Sequence, residues 1–167
     1  MIVHSAEISD PYSPEFFWRS GPSILTTFQV QDNSIKRITL SPASTFSCKI
    51  LGSGLKEEIF AWLECYLEGK ESPPLPLNFS PFTPFTQEGL KAIQRIPFGE
   101  VTTYGELAQE IGHPRGGRAI GNVCNRNAFP LIIPCHRVIA SDGSLRGFGY
   151  GLKMKQDMLQ YESSRSH

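Results

Sequence analysis

The segment that decides the fold covers residues 103–140 and has the sequence TYGELAQEIGHPRGGRAIGNVCNRNAFPLIIPCHRVIA. Its first half predicts two short helices, one over ELAQEIG that ends at Gly112 and one that begins near Gly116 and continues through RAIGNVCN. Two short helices joined by a tight turn suggest a helix-turn-helix motif. An ordinary pair of packed helices is commoner, and the placement of Arg118 and Arg126 is what favours the DNA-binding motif.

The second half of this segment, PLIIPCHRVIA over residues 130–140, places a cysteine and a histidine side by side. Pro134 prevents the apolar run before it from continuing as a strand, so Cys135 should lie at a bend between two buried pieces. The thiolate is the reactive form, and a neighbouring imidazole can accept its proton directly or through one water. Adjacent residues on a strand point to opposite faces, so Cys135 and His136 meet only if the backbone turns. Taken singly, each is more often an ordinary core residue.

Upstream of this segment the pattern changes to strands and one long helix. Two β-rich runs at residues 24–31 and 35–41 predict a hairpin, and apolar residues at helical spacing predict a helix over residues 54–69 that ends at Gly69. A further helix is expected to begin at Thr86 as its N-cap.

The chain as a whole has 167 residues, 40% of them hydrophobic, and no net charge. These values exclude wholesale disorder, collagen-like repeats and coiled coil. No apolar stretch is long enough for a membrane span, the N-terminus has no signal-peptide pattern, and the four cysteines form no C-x-x-C pair. We therefore expect a cytoplasmic protein.

Charge is divided unevenly along the chain. Residues 1–85 carry a net charge of −3 and residues 86–167 a net charge of +3, while residues 113–155 alone carry +6. That excess suits a phosphate-binding face, although a basic solvated surface would look the same.

The predicted fold class is α+β, with a small N-terminal sheet-plus-helix domain followed by a mostly helical C-terminal domain that contains a winged-helix-like helix-turn-helix. The prolines place a linker at residues 73–84, which leaves an N-terminal domain over residues 1–72 and a second domain over residues 85–167.

The order of the motifs resembles one known family. IPFGEVTTYGELA, RAIGNVCNRN and IPCHRV follow one another over residues 96–138, and GSLRGFGYGLKMKQDMLQYE ends at Glu162. This half of the chain resembles the O6-alkylguanine-DNA alkyltransferases, also called methylated-DNA-protein-cysteine methyltransferases, and IPCHRV is similar to their active-site signature. The N-terminal half resembles them only loosely, and the resemblance implies a ribonuclease-H-like domain there.

The resemblance implies that Cys135 takes an alkyl group from O6 of guanine in duplex DNA and keeps it as a thioether, so each molecule acts once. It leaves O4-alkylthymine open as a second substrate. In the family a histidine acts through water and is held by a glutamate, which correspond here to His136 and Glu162. Such a carboxylate would support the imidazolium and lower the thiol pKa without a metal. Asn127 resembles the family's asparagine hinge between the second helix and the active-site strand.

The resemblance also implies how the DNA is held. The target nucleotide must be rotated out of the duplex, which costs a few kcal/mol. Arg118 matches the residue that fills the vacated stack, and Tyr104 matches the tyrosine that crowds the target phosphate. In this family the second helix enters the minor groove, and Ala119 and Gly121 are small enough for a close approach, with Arg126 nearby on the same helix. The expected partner is double-stranded DNA bound by a monomer.

The substrate pocket is where this chain departs from the family pattern. Ala128 replaces a usual proline after the hinge, Phe148 stands where many members have tyrosine, and Tyr150 interrupts a usual run of small residues. We expect Tyr150 to narrow the alkyl-binding pocket. The residues expected to line this pocket are Pro130, Arg137, Val138, Phe148, Gly149 and Tyr150.

No metal and no cofactor are expected. Some family members bind structural zinc through N-terminal Cys and His residues, but the first 47 residues here have no Cys and only His4.

Two other classes of function compete with this hypothesis. A cysteine hydrolase or thiol transferase could use Cys135 and His136, but it would need an oxyanion site and no basic helix pair. A non-enzymatic alkylated-DNA sensor or helix-turn-helix regulator would bind DNA without chemistry, and the presence of Cys135 argues against the sensor.

Overall fold

The computed structural model describes residues 17–166, which form an α+β protein in two compact units. The N-terminal unit is Met1–Asn78 and the C-terminal unit is Phe79–His167. His4, which bears on the expected lack of a zinc site, lies outside the described residues. None of the helices within residues 17–166 is long and apolar enough to cross a bilayer.

The N-terminal unit is a four-stranded sheet with one helix. Its strand order is β1-β4-β2-β3, with β2 antiparallel to β3 and parallel to β4. The elements are β1 (Phe17–Arg19), β2 (Ile24–Gln31), β3 (Ser34–Pro42), β4 (Phe46–Leu51) and α1 (Lys56–Glu68). The predicted hairpin and helix are therefore confirmed.

Local signals explain these two elements. Asp32 and Asn33 both adopt positive φ in the two-residue turn, a conformation that short polar side chains tolerate. The helix ends where Gly69 takes a left-handed conformation and donates its N–H to carbonyls of the last turn. Ile59 and Leu63 are fully buried, so the helix covers the sheet with the predicted apolar face.

The proline-rich stretch predicted as a linker, residues 73–84, is ordered by contacts near its start and by helix α2 at its end. Leu77 pairs with Ile35 in a short parallel bridge, and Leu75 is buried. Pro84 already belongs to a helix. Prolines lack the N–H donor but keep the carbonyl acceptor, so Pro76 can still accept a hydrogen bond from Ile35 N at 2.8 Å.

The C-terminal unit is mostly helical and contains a two-stranded parallel sheet of β5 and β6. Its elements are α2 (Pro84–Gln94), β5 (Thr102–Thr103), α3 (Tyr104–Glu110), α4 (Gly117–Arg126), β6 (Val138–Ile139) and α5 (Leu152–Arg165). Both predicted short helices, α3 and α4, are present. A capping box between Thr103 and Glu106 begins α3.

The start of α2 differs from the prediction. Thr83, not Thr86, is the N-cap, because the Thr83 side chain accepts a hydrogen bond from Thr86 N at 3.2 Å. Pro84 then occupies the first helical position, where its missing N–H costs nothing. Within the helix, Gly89 allows close packing, since a Cβ there would lie 3.0 Å from both methyl groups of Val123.

The prediction of a strand immediately before Cys135 is also wrong. Residues 131–133 are buried as expected, but they form turns instead of a strand. Leu131 has a φ of 77°, and Ile133 N donates to the carbonyl of Phe129 at 2.8 Å, so the chain coils on itself. Strand pairing begins only at Val138.

In the N-terminal unit, the turn after β4 packs closely against β2, and two of its glycines allow this contact to be tested. Gly52 and Gly54 have nearly the same φ, 97° and 98°, but a Cβ on Gly52 would overlap the carbonyl oxygen of Val30, whereas one on Gly54 would meet only Asn33 Oδ1 at 3.6 Å. We expect Gly52→Ala to lower the free energy of unfolding by about 2 kcal/mol more than Gly54→Ala, because both share the strain of positive φ and only the first has the clash.

Urea unfolding followed by tryptophan fluorescence measures this difference in the right unit, because the chain's two tryptophans both lie in the N-terminal unit. Equal losses in the two variants would show that the contact with Val30 does not constrain the turn.

Candidate active site

Cys135 is held in a single turn of 3-10 helix, Cys135–Arg137, that immediately follows Pro134. Cys135 N donates to the Ile133 carbonyl at 2.8 Å, and Arg137 N donates to the Pro134 carbonyl at 2.9 Å. The predicted bend is therefore present, and the backbone turns at this pair of residues. Cys135, His136 and Arg137 are all buried, with relative exposures of 8%, 0% and 7%.

A buried carboxylate on α5 holds the imidazole of the turn. Glu162 Oε2 lies 2.6 Å from Nε2 of His136, and Oε1 of the same carboxylate accepts from Nε of Arg137 at 2.7 Å. Glu162 is 1% exposed. Both oxygens of one carboxylate are thus engaged by consecutive residues of the 3-10 turn.

The charges of this group follow from its contacts. Burial alone would raise the pKa of Glu162, but the neighbouring His136 and Arg137 outweigh it and lower that pKa to about 2. Burial lowers the pKa of His136, and the attraction of Glu162 only partly offsets this. At neutral pH the site therefore holds an ionised Glu162 and a neutral His136.

This protonation state fixes the tautomer of His136. An ionised carboxylate can only accept hydrogen bonds, so Nε2 must carry the proton that it shares with Glu162. Nδ1 is then a lone-pair acceptor, and it is buried with no hydrogen-bond partner among residues 17–166. An unpartnered acceptor on the residue next to Cys135 has the chemistry of a base.

The pKa of the Cys135 thiol is raised, whereas the resemblance implied that it would be lowered. Burial raises the pKa of the Cys135 thiol above its ordinary value, and the hydrogen bond from Asn127 and the positive charge of Lys155 only moderate that effect. Desolvation penalises the thiolate more than these two groups can compensate. The resting thiol is therefore protonated, and it loses its proton only when a base accepts it.

Arg137 was predicted to line the substrate pocket, but its contacts are structural. Besides Glu162, its guanidinium donates to the carbonyl of Ile96 at 2.8 Å and lies 5.6 Å from the ring centre of Phe98. It therefore joins the loop after α2 to the carboxylate of α5. The bidentate shape of the guanidinium suits this positioning role.

Asn127 caps α4 and ties it to the segment that leads into the 3-10 turn. Its Oδ1 accepts from Phe129 N at 2.8 Å, and its Nδ2 donates to the Ile133 carbonyl at 2.9 Å. Asn127 also opposes the rise of the Cys135 pKa that burial causes. The side chain thus fastens both ends of the coiled segment between α4 and the turn.

Lys155 is a buried residue near Cys135 that the sequence did not point to. It is fully buried on α5, and its Nζ donates to the carbonyls of Val138 and Arg146, both at 2.7 Å. The Tyr104 hydroxyl donates to the same Arg146 carbonyl at 3.1 Å. The buried lysine therefore fastens the loop after β6 beside the site and brings a positive charge near Cys135.

The residues predicted to bind DNA lie on α3 and α4. Arg118 and Arg126 are exposed at opposite ends of α4, Ala119 and Gly121 are half-buried between them, and a Cβ on Gly121 would meet open space. Tyr104, the first residue of α3, is half-buried. The outer face of α4 is thus basic at its ends and open in the middle.

The predicted pocket residues fall into two groups. Pro130 and Val138 are buried beneath the site, whereas Phe148 and Tyr150 are half-buried and Gly149 is exposed. The ring of Phe148 lies 6.5 Å from the ring of His136 and 5.6 Å from that of Tyr150, centre to centre. An aromatic pair therefore extends from the imidazole of His136 toward the surface.

Comparison with known proteins gives three findings. The sequence profile described as 6-O-methylguanine DNA methyltransferase, DNA binding domain, matches residues 84–164. A methylated-DNA--protein-cysteine methyltransferase from Mycobacterium leprae is 32% identical over 164 residues, which cover 96% of this chain and 93% of that protein. A crystal structure of Mycobacterium tuberculosis OGT in complex with DNA superposes with a TM-score of 0.70 at 27% identity, over 85% of this chain and 93% of that one.

Archaeal relatives are more similar over a shorter length. A protein of the same description from Methanosarcina acetivorans is 42% identical over 103 residues, and one from Methanosarcina barkeri is 46% identical over the same length. The matched part spans 61% of this chain and 65% of each relative.

The lowered pKa of Glu162 makes the stability of the site depend on pH. A carboxyl whose pKa falls on folding stabilises the protein above its unfolded value of 4.5, and that contribution is lost as pH falls toward 2. We expect Glu162→Gln to lower the free energy of unfolding by roughly 3 kcal/mol at pH 7. The difference in this free energy between wild type and Glu162→Gln should narrow as pH falls from 7 to 2.

Urea unfolding followed by circular dichroism at several pH values measures this gap. Glu100→Gln is the matched control, because Glu100 is exposed in the same unit. A gap for Glu162→Gln that stays constant with pH would show that the carboxylate is not stabilised by its buried partners.

Proposed function

The chain belongs to the methylated-DNA--protein-cysteine methyltransferase family, and from that premise we propose that it repairs DNA by moving an alkyl group from O6 of guanine to its own Cys135. The observation that carries this proposal is the arrangement of Cys135, His136 and Glu162 within one turn and one helix. The thioether product is stable, so one molecule performs one transfer.

The first step is loss of the thiol proton. Nδ1 of the neutral His136 accepts it, directly or through one water, and Glu162 then stabilises the imidazolium through Nε2. The hydrogen bond from Asn127 and the charge of Lys155 stabilise the new thiolate. A high resting pKa keeps the thiol from reacting before a substrate is in place.

The second step is displacement at carbon. Sγ of Cys135 forms a bond to the alkyl carbon while the bond from that carbon to O6 breaks, and the electron pair remains on guanine. The guanine anion takes up a proton, which restores an ordinary base. Charge is balanced because the proton lost by the thiol is matched by the one gained by guanine.

We propose that α3 and α4 hold double-stranded DNA, with α4 in the minor groove. The support is the exposure of Arg118 and Arg126, the small residues between them, and the solved relative in complex with DNA. A stacked guanine cannot present O6 to a thiol that is 8% exposed, so the nucleotide must rotate out. Arg118 occupies the space that it leaves.

The domain arrangement and setting follow from the same proposal. Residues 85–167 would form the DNA-binding alkyltransferase domain, residues 1–72 a ribonuclease-H-like domain and residues 73–84 their linker. The protein would act as a monomer in the cytoplasm, where a reducing environment keeps thiols such as Cys135 free.

Incubation with O6-methylguanine DNA should add one methyl group, about 14 Da, to Cys135 and to no other cysteine, because only this thiol adjoins a base. Intact mass followed by peptide mapping measures the transfer, and Cys135→Ser should remain unmodified. Methylation of another cysteine, or repeated turnover by one molecule, would contradict a single self-alkylation at Cys135.

Arg118→Ala should slow repair of duplex DNA far more than reaction with a free O6-alkylguanine base, because this side chain acts on base rotation and not on the thiol. Single-turnover rates on both substrates measure how much more the variant slows the reaction with duplex DNA than the reaction with the free base. Arg95→Ala is the control, since Arg95 is exposed at the end of α2 and should leave both rates unchanged. Equal slowing on both substrates would place Arg118 in the fold or the pocket.

Tyr150→Gly should speed inactivation by O6-benzylguanine relative to wild type, because removal of the ring widens the path beside Phe148. Tyr150→Phe keeps the ring and should react at the wild-type rate. A wild type that already reacts rapidly and is unchanged by Tyr150→Gly would show that this ring does not narrow the pocket.

A further inference from the structure

The loop between β6 and α5 is anchored through its backbone to two neighbouring elements. Nζ of Lys155 donates to the carbonyls of Val138 and Arg146, both at 2.7 Å. Val138 directly follows the 3-10 turn that begins at Cys135. The hydroxyl of Tyr104, the first residue of α3, donates to the same Arg146 carbonyl at 3.1 Å. The backbone of Arg146 is therefore fixed between the strand that follows the turn and the start of α3.

The side chain of Arg146 is exposed, although its backbone is anchored. Its relative exposure is 67%. Within the loop, its Nε donates to Ser144 Oγ at 3.2 Å and its Nη2 donates to Asp142 Oδ2 at 3.4 Å. A guanidinium has more N–H groups than these two bonds use. Donors therefore remain on Arg146 for a second anion.

The carboxylate that contacts this guanidinium is weakly bound to it. Asp142 Oδ1 accepts from Ser144 N at 3.0 Å and from Ser144 Oγ at 2.6 Å, which are shorter bonds than the one from Arg146 to Oδ2. Because both members of the ion pair are exposed, the pair contributes little to stability. Asp142 is also the sole acidic residue within residues 113–155 of the sequence. A second anion can therefore replace it on the guanidinium at little cost.

The surface beside Arg146 leaves room for a large ligand. Gly143 and Gly149 lie on either side of it in the loop, and both are exposed. A Cβ on either glycine would meet no atom of residues 17–166 within 4 Å. A strand of DNA can therefore approach this part of the loop closely, because no side chain projects from these two positions.

We propose that Arg146 binds a backbone phosphate of the damaged DNA strand, next to the target nucleotide, and that this phosphate displaces Asp142 from the guanidinium. The inference rests on the proposed function, because it takes α3 and α4 as the elements that hold the duplex. It adds a phosphate contact from outside that helix pair. A nucleotide whose base reaches Cys135 leaves its phosphates at the edge of the site, where the anchored loop carries Arg146.

Arginine suits this contact for two physical reasons. Its planar guanidinium can form two parallel bonds to the oxygens of one phosphate. The two Nη atoms would form them, so the bond from Nε to Ser144 can remain. The loop is already held by Lys155, which reduces the conformational entropy that binding costs. Because phosphates are the same at every base step, the contact would add affinity without adding sequence preference.

The test measures affinity for a duplex that contains O6-methylguanine, in a Cys135→Ser background so that no transfer consumes the substrate. Arg146→Ala should weaken binding roughly tenfold at low salt and reduce the slope of log affinity against log salt by about one, because one phosphate contact is lost. Arg146→Lys keeps the charge and should restore the slope. Lys153→Ala is the matched control and should change the slope less, since Lys153 is an exposed cation that also pairs with an acid four residues away.

Neutral methylphosphonate linkages, placed one at a time on either side of the target nucleotide, locate the contact. One of these linkages should weaken binding of the Cys135→Ser parent but should not weaken binding of the Arg146→Ala variant any further. Asp142→Asn should tighten binding because it removes the competing carboxylate. It should do so by more than Asp157→Asn, which removes the same charge from the ion pair with Lys153.

Two results would overturn the phosphate contact: an Arg146→Ala variant that binds as tightly as its parent, or one that loses as much affinity as its parent at every neutral linkage. Equal tightening by Asp142→Asn and Asp157→Asn would overturn the displacement of Asp142, because net charge alone would then explain the gain. The binding measurements need no methyl transfer. A protein that shows the contact but transfers no methyl group would contradict the proposed function alone, and a protein that transfers methyl without the contact would contradict this inference alone.

Discussion

The carboxylate of Glu162 is the group on which the C-terminal unit depends. A buried carboxylate with both oxygens paired is tolerated only where the pairing is complete, and here His136 and Arg137 supply it from consecutive positions of one turn. The pairing fixes α5 against the turn, and the further bond of Arg137 to Ile96 adds the loop after α2. Loss of one partner would leave an uncompensated charge in the interior.

The same pairing determines the chemistry. Because the carboxylate engages Nε2, the lone pair of His136 is on Nδ1. Burial favours the neutral imidazole and the neutral thiol, so the resting site carries little charge of its own beyond the Glu162–Arg137 pair and Lys155. In the proposed mechanism, reaction then creates a thiolate and an imidazolium, and the contacts of Asn127 and Glu162 would stabilise them. Preorganised groups of this kind need no rearrangement as charge develops.

Much of the fold could be predicted from the sequence, because the signals for its helices and turns lie within short segments of the chain. The hairpin, α1, α3, α4 and the bend at Pro134 all follow from turn residues, caps and apolar spacing. The site required more, since Glu162 is 26 residues from His136 and alone would be taken for a solvated residue. One signal was available: Glu162 follows Met154 and Met158 at steps of four, which places it on the buried face of α5.

Other features depend on contacts that no local pattern records. The coiled segment before Cys135 requires Leu131 to adopt positive φ, which an apolar run does not suggest. The burial of Lys155 depends on two carbonyls that lie 9 and 17 residues away. Arg137 was assigned to the pocket because its motif lies there, but its partners are Glu162 and the Ile96 carbonyl, which only the folded chain brings together.

The protonation state of His136 tests the central claim most directly. Nitrogen-15 NMR of the labelled protein at pH 7 distinguishes a protonated ring nitrogen from an unprotonated one. The account predicts that Nε2 carries the hydrogen and Nδ1 does not, and that Glu162→Gln disturbs this preference. A proton on Nδ1, or on both nitrogens, would contradict the account, because the imidazole could not then accept the proton of Cys135.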